Sequence, residues 1–562
     1  MTATAPRFRL RLSLLACALW FAGSLGPGLR AQSSNDMPRL PSLGEPDSSD
    51  MTEAGERRIG DLIMRQVRRD PALLDDPQLL AHVQALWAPL LRAARNRGEI
   101  VPETDAVFAW ETFLIRDRSI NAFALPGGYV GVHLGLIAQS VMQDELAAVL
   151  AHELSHITQR HIVRSNSQAR RQSALGLAAM LLGMLAAARS GSPDLAQATV
   201  MGSQAAMLQG QLNFSRDMER EADRVGFTIM TDAGYEPRGA AAMFERLDRA
   251  NRLNDFGNFP YLRSHPLTIE RIGEARSRAQ SQEMAMGQAR GPASQTVVVT
   301  GQALMDPLPA QAQHQLMRGR AKVLMDPSEP ALRHLQRAAE GTPASEERMA
   351  TLYAASLASM QLGEHGQARR HFDELQRLHA QPSVRQSLDL LLAELEVAAG
   401  QPQRALTLLE TLDGRQRSVR MARAEAALKW AQQPGDARSR AMAQQALRQH
   451  GDALTTWVIE HRHDAAAWSQ LSLIAQFQGE ALRAVRAQAE ARWALGDLNG
   501  ALDRFKAGQR LARSSSKPDH VEASVIDARL RDLERERRRA FADMRGIREE
   551  DLPPVLPPNV PL

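Results

Sequence analysis

The chain has 562 residues, more than one ordinary core accommodates and enough for two or three domains with tails. Hydrophobic residues at 44% and charged residues at 23% are ordinary for a globular protein, and 4% aromatics favour helix over strand. The 68 basic and 64 acidic residues are interspersed, so the net charge of +4 has no concentrated basic footprint and no nucleic-acid partner is expected.

The N-terminus reads as a processing segment. Arg7, Arg9 and Arg11 precede an apolar stretch over residues 12–25, and small and turn-forming residues then lead to a cleavage point after Ala31. Residues 1–31 are read as a signal peptide for export, with an uncleaved membrane anchor as the rival. Leu14-Leu15-Ala16-Cys17 falls short of a lipoprotein box, because the residues after Cys17 stay apolar and the stretch before it is too short. Cys17 is the only cysteine. A mature chain without it has no disulfide, thiolate metal site or cysteine nucleophile, so a metal must be held by His, Asp or Glu.

Residues 32–54, rich in Ser, Pro and Asp, read as a disordered linker. Residues 55–97 have amphipathic helical period. The character then changes. Val107-Phe108-Ala109-Trp110 and Thr112-Phe113-Leu114-Ile115 read as strand pieces, and Asn121-Ala122-Phe123-Ala124-Leu125 and Tyr129-Val130-Gly131-Val132 flank the turn Pro126-Gly127-Gly128. A small antiparallel sheet is expected here. Helix dominates from Asp144 onward. The Ala/Leu/Met run over 173–188 is short for a membrane span and reads as a buried helix or a lid, with peripheral membrane contact as the rival.

Residues 288–309 lose helical period and read as a linker between a first globular domain, 55–287, and a helical domain, 310–545. In the second, Leu362-Gly363 is followed by Ala368 and Phe372, Ala399-Gly400 by Ala405 and Leu409, and Leu495-Gly496 by Ala501 and Phe505. These half-patterns resemble tetratricopeptide repeats, in which a small residue lets paired helices approach and a later apolar residue fills the gap. Residues 546–562 read as a Pro-rich unstructured tail.

The chemistry concentrates at His152-Glu153-Leu154-Ser155-His156. Histidines four apart on a helix share one face, one turn apart, where two neutral nitrogens hold one zinc. Glu153, about 100° round the helix, is placed to take a proton from a metal-bound water rather than to ligate. Chance gives roughly 0.02 such matches in a chain with this many histidines. The motif sits in a stretch, 144–164, of continuous helical period, which carries His161 to the face opposite His152 as a surface or structural histidine. A catalytic zinc takes a third protein ligand. Glu219 and Asp223, four apart, supply one candidate ligand and one carboxylate to orient an imidazole, while Glu221 points away.

These residues, with Asn121-Ala122-Phe123-Ala124-Leu125-Pro126-Gly127-Gly128 and Ser264-His265-Pro266-Leu267, resemble the gluzincin metallopeptidases that include HtpX and the prenyl-protein endopeptidases. The resemblance covers roughly residues 55–276, and the repeat region only in type. It implies a mainly α fold, with a zincin-type metalloprotease domain followed by an α-helical tetratricopeptide-repeat solenoid. It implies one Zn2+ held by His152, His156 and Glu219, with Glu153 as general base and Asp223 supporting a ligand. His265 matches a histidine that closes zinc's open position as a switch, and Arg271 an arginine near the oxyanion. Tyr129, Val130, Gly131 and Val132 match an edge strand to which an extended substrate adds. With the signal peptide, the resemblance implies a periplasmic endopeptidase acting on unfolded or misassembled outer-membrane β-barrel proteins. Its repeats would recruit substrate or the barrel-assembly machinery and support a chaperone activity. The rival reading is a chaperone or scaffold whose metal site is latched or structural.

Overall fold

The computed structural model describes residues 51–166, 216–253, 261–262, 265–289, 307–341, 347–378, 382–514, 519–545 and 548–552. The signal peptide, the 173–188 run, most of the 288–309 linker, Ser264 and the 553–562 tail lie outside the described residues.

Helix α1 (Glu53–Val67) starts at Thr52, whose hydroxyl accepts from the Gly55 amide, and buries Ile59, Ile63, Met64 and Val67. Strand β1 (Leu73–Leu74) leads to α2 (Pro77–Asn96), capped by Asp76 with proline in its first turn. A short α3 (Pro102–Val107) follows. Val107 therefore closes a helix and residues 108–110 are not strand, which corrects that part of the sequence expectation. Strand β2 (Glu111–Ile115) comes next, then β3 (Ala122–Leu125) and β4 (Tyr129–His133).

The sheet order is β1-β2-β4-β3. The β3–β4 pair is the expected antiparallel hairpin, turned by Gly127 and Gly128, both at positive φ. But β4 pairs with β2 in parallel, so the sheet is mixed, not antiparallel. The same topology corrects a second expectation: Tyr129, Val130, Gly131 and Val132 lie on an interior strand, buried throughout, and β3 beside it is an edge strand. Strand β4 pairs with β2 on one side and with β3 on the other, which places it inside the sheet. The loop between β2 and β3 passes over the start of α4 (Leu134–Gln139) so closely that a Cβ on Gly135 would meet the Arg118 carbonyl oxygen at 2.1 Å. Gly131 likewise leaves room for the Phe113 and Phe123 rings to meet edge to face, 5.8 Å between centres.

Helix α5 (Gln143–Thr158) is buried along almost its whole length, and α6 (His161–Asn166) follows a break. The expected continuous helix over 144–164 is interrupted at Arg160, whose φ of 52° is left-handed. Arg160 is held there by Glu53 and Glu56, at 3.0 and 3.2 Å. Helices α7 (Arg216–Asp232) and α8 (Arg238–Leu253) both pack on α5, and α9 (Ile269–Ala289) packs on both.

Beyond the linker, α10 (Pro307–Leu324) packs on α2, α4 and α5. One apolar core therefore runs from Leu79 through Val132, Leu150 and Leu316 to Leu395. Arg320 on α10 is buried and chelates Asp76, the α2 cap, at 2.7 Å and Glu394 at 3.0 Å. The helices that follow pack in sequence: α11 (Glu329–Gly341) on α12 (Glu347–Gln361), α12 on α13 (His365–Leu378), α14 (Pro382–Ala398) on α15 (Pro402–Leu409), and α16 (Arg417–Ala431) on α17 (Ala437–Glu460). Then α18 (Ala465–Phe477) packs on α19 (Ala481–Ala494), α19 on α20 (Leu498–Ser514), and α20 on α21 (His520–Arg545).

The half-patterns of the sequence fall at like places in these helices. Gly363, Gly400 and Gly496 are left-handed residues closing α12, α14 and α19. Ala368, Ala405 and Ala501 are buried near the start of the next helix, with Phe372, Leu409 and Phe505 buried one turn on. Among the described residues no helix is long and apolar enough to cross a membrane.

Candidate metal centre

Helices α5 and α7 cross where each carries polar residues inward. The crossing is close because Gly226 has no side chain: a Cβ there would meet the Ala151 carbonyl oxygen at 3.0 Å. On α5, i and i+4 spacing stacks His152 above His156, with their Nε2 atoms 3.0 Å apart. Glu219, from the first turn of α7, lies 3.5 Å from each ring. His265, in the segment before α9, puts its Nδ1 3.0 Å from Glu219 and 3.3 Å from His152. Tyr261 stacks on the His265 ring at 4.7 Å between centres and holds it in place. Four donor atoms, one each from His152, His156, Glu219 and His265, lie within 4.8 Å of one another, all buried.

The supporting contacts fix which nitrogens face inward. Asp223 Oδ1 stands 3.0 Å from His152 Nδ1, which leaves the His152 Nε2 lone pair pointing into the group. Arg271 grips Asp223 in fork geometry at 2.6 and 2.8 Å, reaches Glu219 at 2.9 Å and donates to the Pro266 carbonyl. In this arrangement its guanidinium is directed at the carboxylates of Asp223 and Glu219.

Two residues set aside in the sequence reading enter the site. The break at Arg160 turns the chain back, so His161 is fully buried, with Nδ1 3.0 Å from His156 Nδ1. It is not a surface histidine. Glu221 does point away from the donors, but toward His161 Nε2 at 3.0 Å, and Arg164 holds it at 2.9 Å. The interruption of apolar period by Thr158-Gln159-Arg160 is the local signal for that turn.

The electrostatics match a cation site. Burial opposes charge on His152, but Asp223 and Glu219 outweigh it and push that imidazole up to about 10. Burial and the charge on His152 together push His156 well below its ordinary range. Burial works to raise Glu219 too, yet the histidines around it hold it well below the carboxylate range. Three imidazoles with a carboxylate, all buried, suit a divalent metal. Glu153 stands beside the donors, wholly buried, with Oε1 3.6 Å from His265 Nε2 and the Ala124 backbone near its carboxylate. Burial pushes its carboxyl above the ordinary range.

The outer side of β3 adjoins this centre. Because Asn121 bonds His133 through the backbone, alternation leaves the amides and carbonyls of Ala122 and Ala124 facing away from β4. Among the described residues no strand pairs with that side, and β3 itself is in contact with α5.

Imidazoles from one helix, a carboxylate from a second, and a buried acid beside them define a metallopeptidase-type centre. Residues 88–279, which contain every one of these groups, match the profile of peptidase family M48. The chain is 32% identical over 247 residues to the beta-barrel assembly-enhancing protease of Escherichia coli, covering 43% of this chain and 47% of that one. It is 36% identical over 253 residues to a Vibrio cholerae protein that carries this name provisionally, covering 45% of this chain and 50% of that one. It is also 37% identical over 165 residues to the mitochondrial metalloendopeptidase OMA1 of Schizosaccharomyces pombe, covering 29% and 44%. The chain spans about half the length of the bacterial relatives it matches.

Proposed function

We propose that the protein is a zinc-dependent endopeptidase that removes unfolded or misassembled proteins from the periplasm, outer-membrane β-barrel proteins among them. The observation that carries the peptidase reading is the buried group of His152, His156 and Glu219 with the buried carboxyl of Glu153 beside it. His152, His156 and Glu219 hold the metal. When bound, zinc lowers the pKa of a coordinated water and polarises the scissile carbonyl.

The chain's own residues do the rest. Glu153 takes the proton of the attacking water and returns it to the leaving amine. Its raised pKa suits both halves of that transfer. Asp223 and Arg271 keep His152 in the tautomer that ligates. The outward backbone of β3 takes an extended substrate as an added strand, which selects unfolded segments because a folded protein offers no free strand. His265, as a fourth donor, latches the site, and turnover requires its displacement. Four protein donors also describe a structural site, but a buried acid outside the donor set, Glu153, favours the catalytic reading.

The barrel substrates and the link to their assembly machinery are supported by the names of the bacterial relatives, and periplasmic location by residues 1–31. The recurring left-handed glycine, buried alanine and buried apolar residue of α12–α13, α14–α15 and α19–α20 support tetratricopeptide-type repeats. These recruit substrates or assembly partners and support a chaperone activity alongside cleavage.

The deciding experiment follows cleavage of a misassembled barrel protein by Glu153→Gln beside the unaltered chain. Loss of at least 100-fold in turnover with zinc retained is expected, and turnover at the original rate sinks the peptidase reading. His265→Ala is expected to raise turnover; equal or lower turnover with zinc retained removes the latch.

A further inference from the structure

We infer that His161 is a positioning residue for the metal centre, the middle member of a relay from His156 through His161 to Glu221 and Arg164. The inference rests on the metal-site reading above and concerns residues that reading does not use.

The geometry leaves one consistent assignment of protons. The Nε2 of His156 faces the other donors, 3.0 Å from His152 Nε2 and 3.5 Å from Glu219. An imidazole that ligates through Nε2 carries its proton on Nδ1. That Nδ1 lies 3.0 Å from the Nδ1 of His161, so His156 donates and His161 accepts there. His161 is then protonated on Nε2, which donates to the Glu221 carboxylate at 3.0 Å. Arg164 donates to the same carboxylate oxygen at 2.9 Å. The three distances permit no orphaned donor and no pair of facing protons.

The two ligating histidines are thus supported by different means. His152 leans directly on a carboxylate, Asp223, itself forked to Arg271. His156 leans on a neutral ring, with the carboxylate one ring further out. Burial pushes His161 below its ordinary range, although Glu221 pulls the other way. The left-handed Arg160, a conformation costly for a residue with a side chain, is what brings His161 back against His156, and two glutamates hold it there. A surface histidine needs no such turn.

The test is zinc affinity of the full chain, measured by competition with a chromophoric chelator, beside thermal unfolding of the zinc-free protein. His161→Phe keeps a ring of similar volume but accepts no hydrogen bond. His161→Gln keeps an oxygen for His156 and an amide for Glu221. We expect His161→Phe to weaken zinc binding 10- to 100-fold and His161→Gln to stay within about threefold of the unaltered chain. Glu221→Gln, on a partly exposed residue, should weaken binding by a smaller factor and serves as the variant if His161→Phe does not fold. Unchanged affinity in His161→Phe, or in Glu221→Gln where that is the variant read, overturns the relay. So does an equal loss in the Phe and Gln variants, which marks packing rather than hydrogen bonding. If the unaltered chain binds no zinc, the metal-site reading itself fails, and that result is distinct from either.

Discussion

Gly226 on α7 crosses His152 on α5 without space for a side chain: a Cβ at position 226 would stand 3.1 Å from the His152 Cα. The separation of the helix bearing Glu219 and Asp223 from the helix bearing His152 and His156 is set at this contact. Adding atoms here pushes the two sets of donors apart. Gly226→Val should therefore cost about 1–3 kcal/mol of stability through overpacking, and weaken metal binding more than an equally destabilising change elsewhere. Denaturant unfolding and zinc competition on the same samples check this, and normal zinc affinity in a destabilised variant would count against it.

The outward backbone groups of Ala122 and Ala124 give a second expectation, about substrates. A peptide that adds to β3 pairs through alternate amides only. N-methylation of single amides in a cleaved peptide should therefore reduce kcat/KM by about tenfold at every second position near the scissile bond, and little at those between. Scanning one peptide in this way reads the register directly. Loss without alternation would mean that substrates do not bind as a strand.

How far this site was legible from sequence follows from how local each part is. His152 with His156, and Glu219 with Asp223, are i and i+4 pairs, so helical geometry alone predicts that each pair shares a face. The turn at Pro126-Gly127-Gly128 is equally local. The place of β4 inside the sheet is not, because it depends on parallel pairing with β2, a non-local choice that no strand pattern encodes. His161 was placed on the wrong face because a helix continued through Arg160 carries it there; only the left-handed turn, fastened by Glu53 and Glu56 far back in the chain, reverses it. His265 came from a motif resemblance, and its position depends on the Tyr261 stack, which lies beyond any periodic signal.

A buried histidine pair joins the two halves of the chain and gives a pH dependence. His82 on α2 and His314 on α10 are 3.0 Å apart, and His314 donates to the Ser140 carbonyl, so the proton between the rings belongs to His82. Burial pushes His82 down to about 4, and burial with its neighbour pushes His314 well below the ordinary range. Arg318 is the charged group acting on His314. Both rings are neutral when folded and take up protons when unfolded below the ordinary histidine range. Their contribution is complete above about pH 6.5 and is lost as pH falls toward 4. Denaturant midpoints between pH 7 and 4.5 should fall with acidity, less steeply in His82→Gln, which still donates to His314. Parallel slopes for the two proteins would remove this pair as the cause.

Arg320 carries the last expectation, and it bears on whether the peptidase segment stands alone. Its guanidinium reaches back from α10 to the cap of α2 at Asp76 and forward to Glu394 on α14, fully inside the protein. Replacing it with Leu leaves the buried Asp76 and the half-buried Glu394 without their counter-ion and should cost about 3 kcal/mol. Leu316 and Met317, on the same helix, are fully buried in the core that contains Leu79, Val83 and Ile137. A chain ending before Pro307 uncovers that surface as well as orphaning Asp76. We therefore expect such a fragment to aggregate or to melt well below the full chain, and to lose zinc affinity with it. Cleavage and any chaperone activity are then not separable by deleting 310–545, and point changes such as Glu153→Gln are the means to divide them. A fragment that folds, binds zinc and cleaves as the full chain does would show that α10 only rests on the peptidase core.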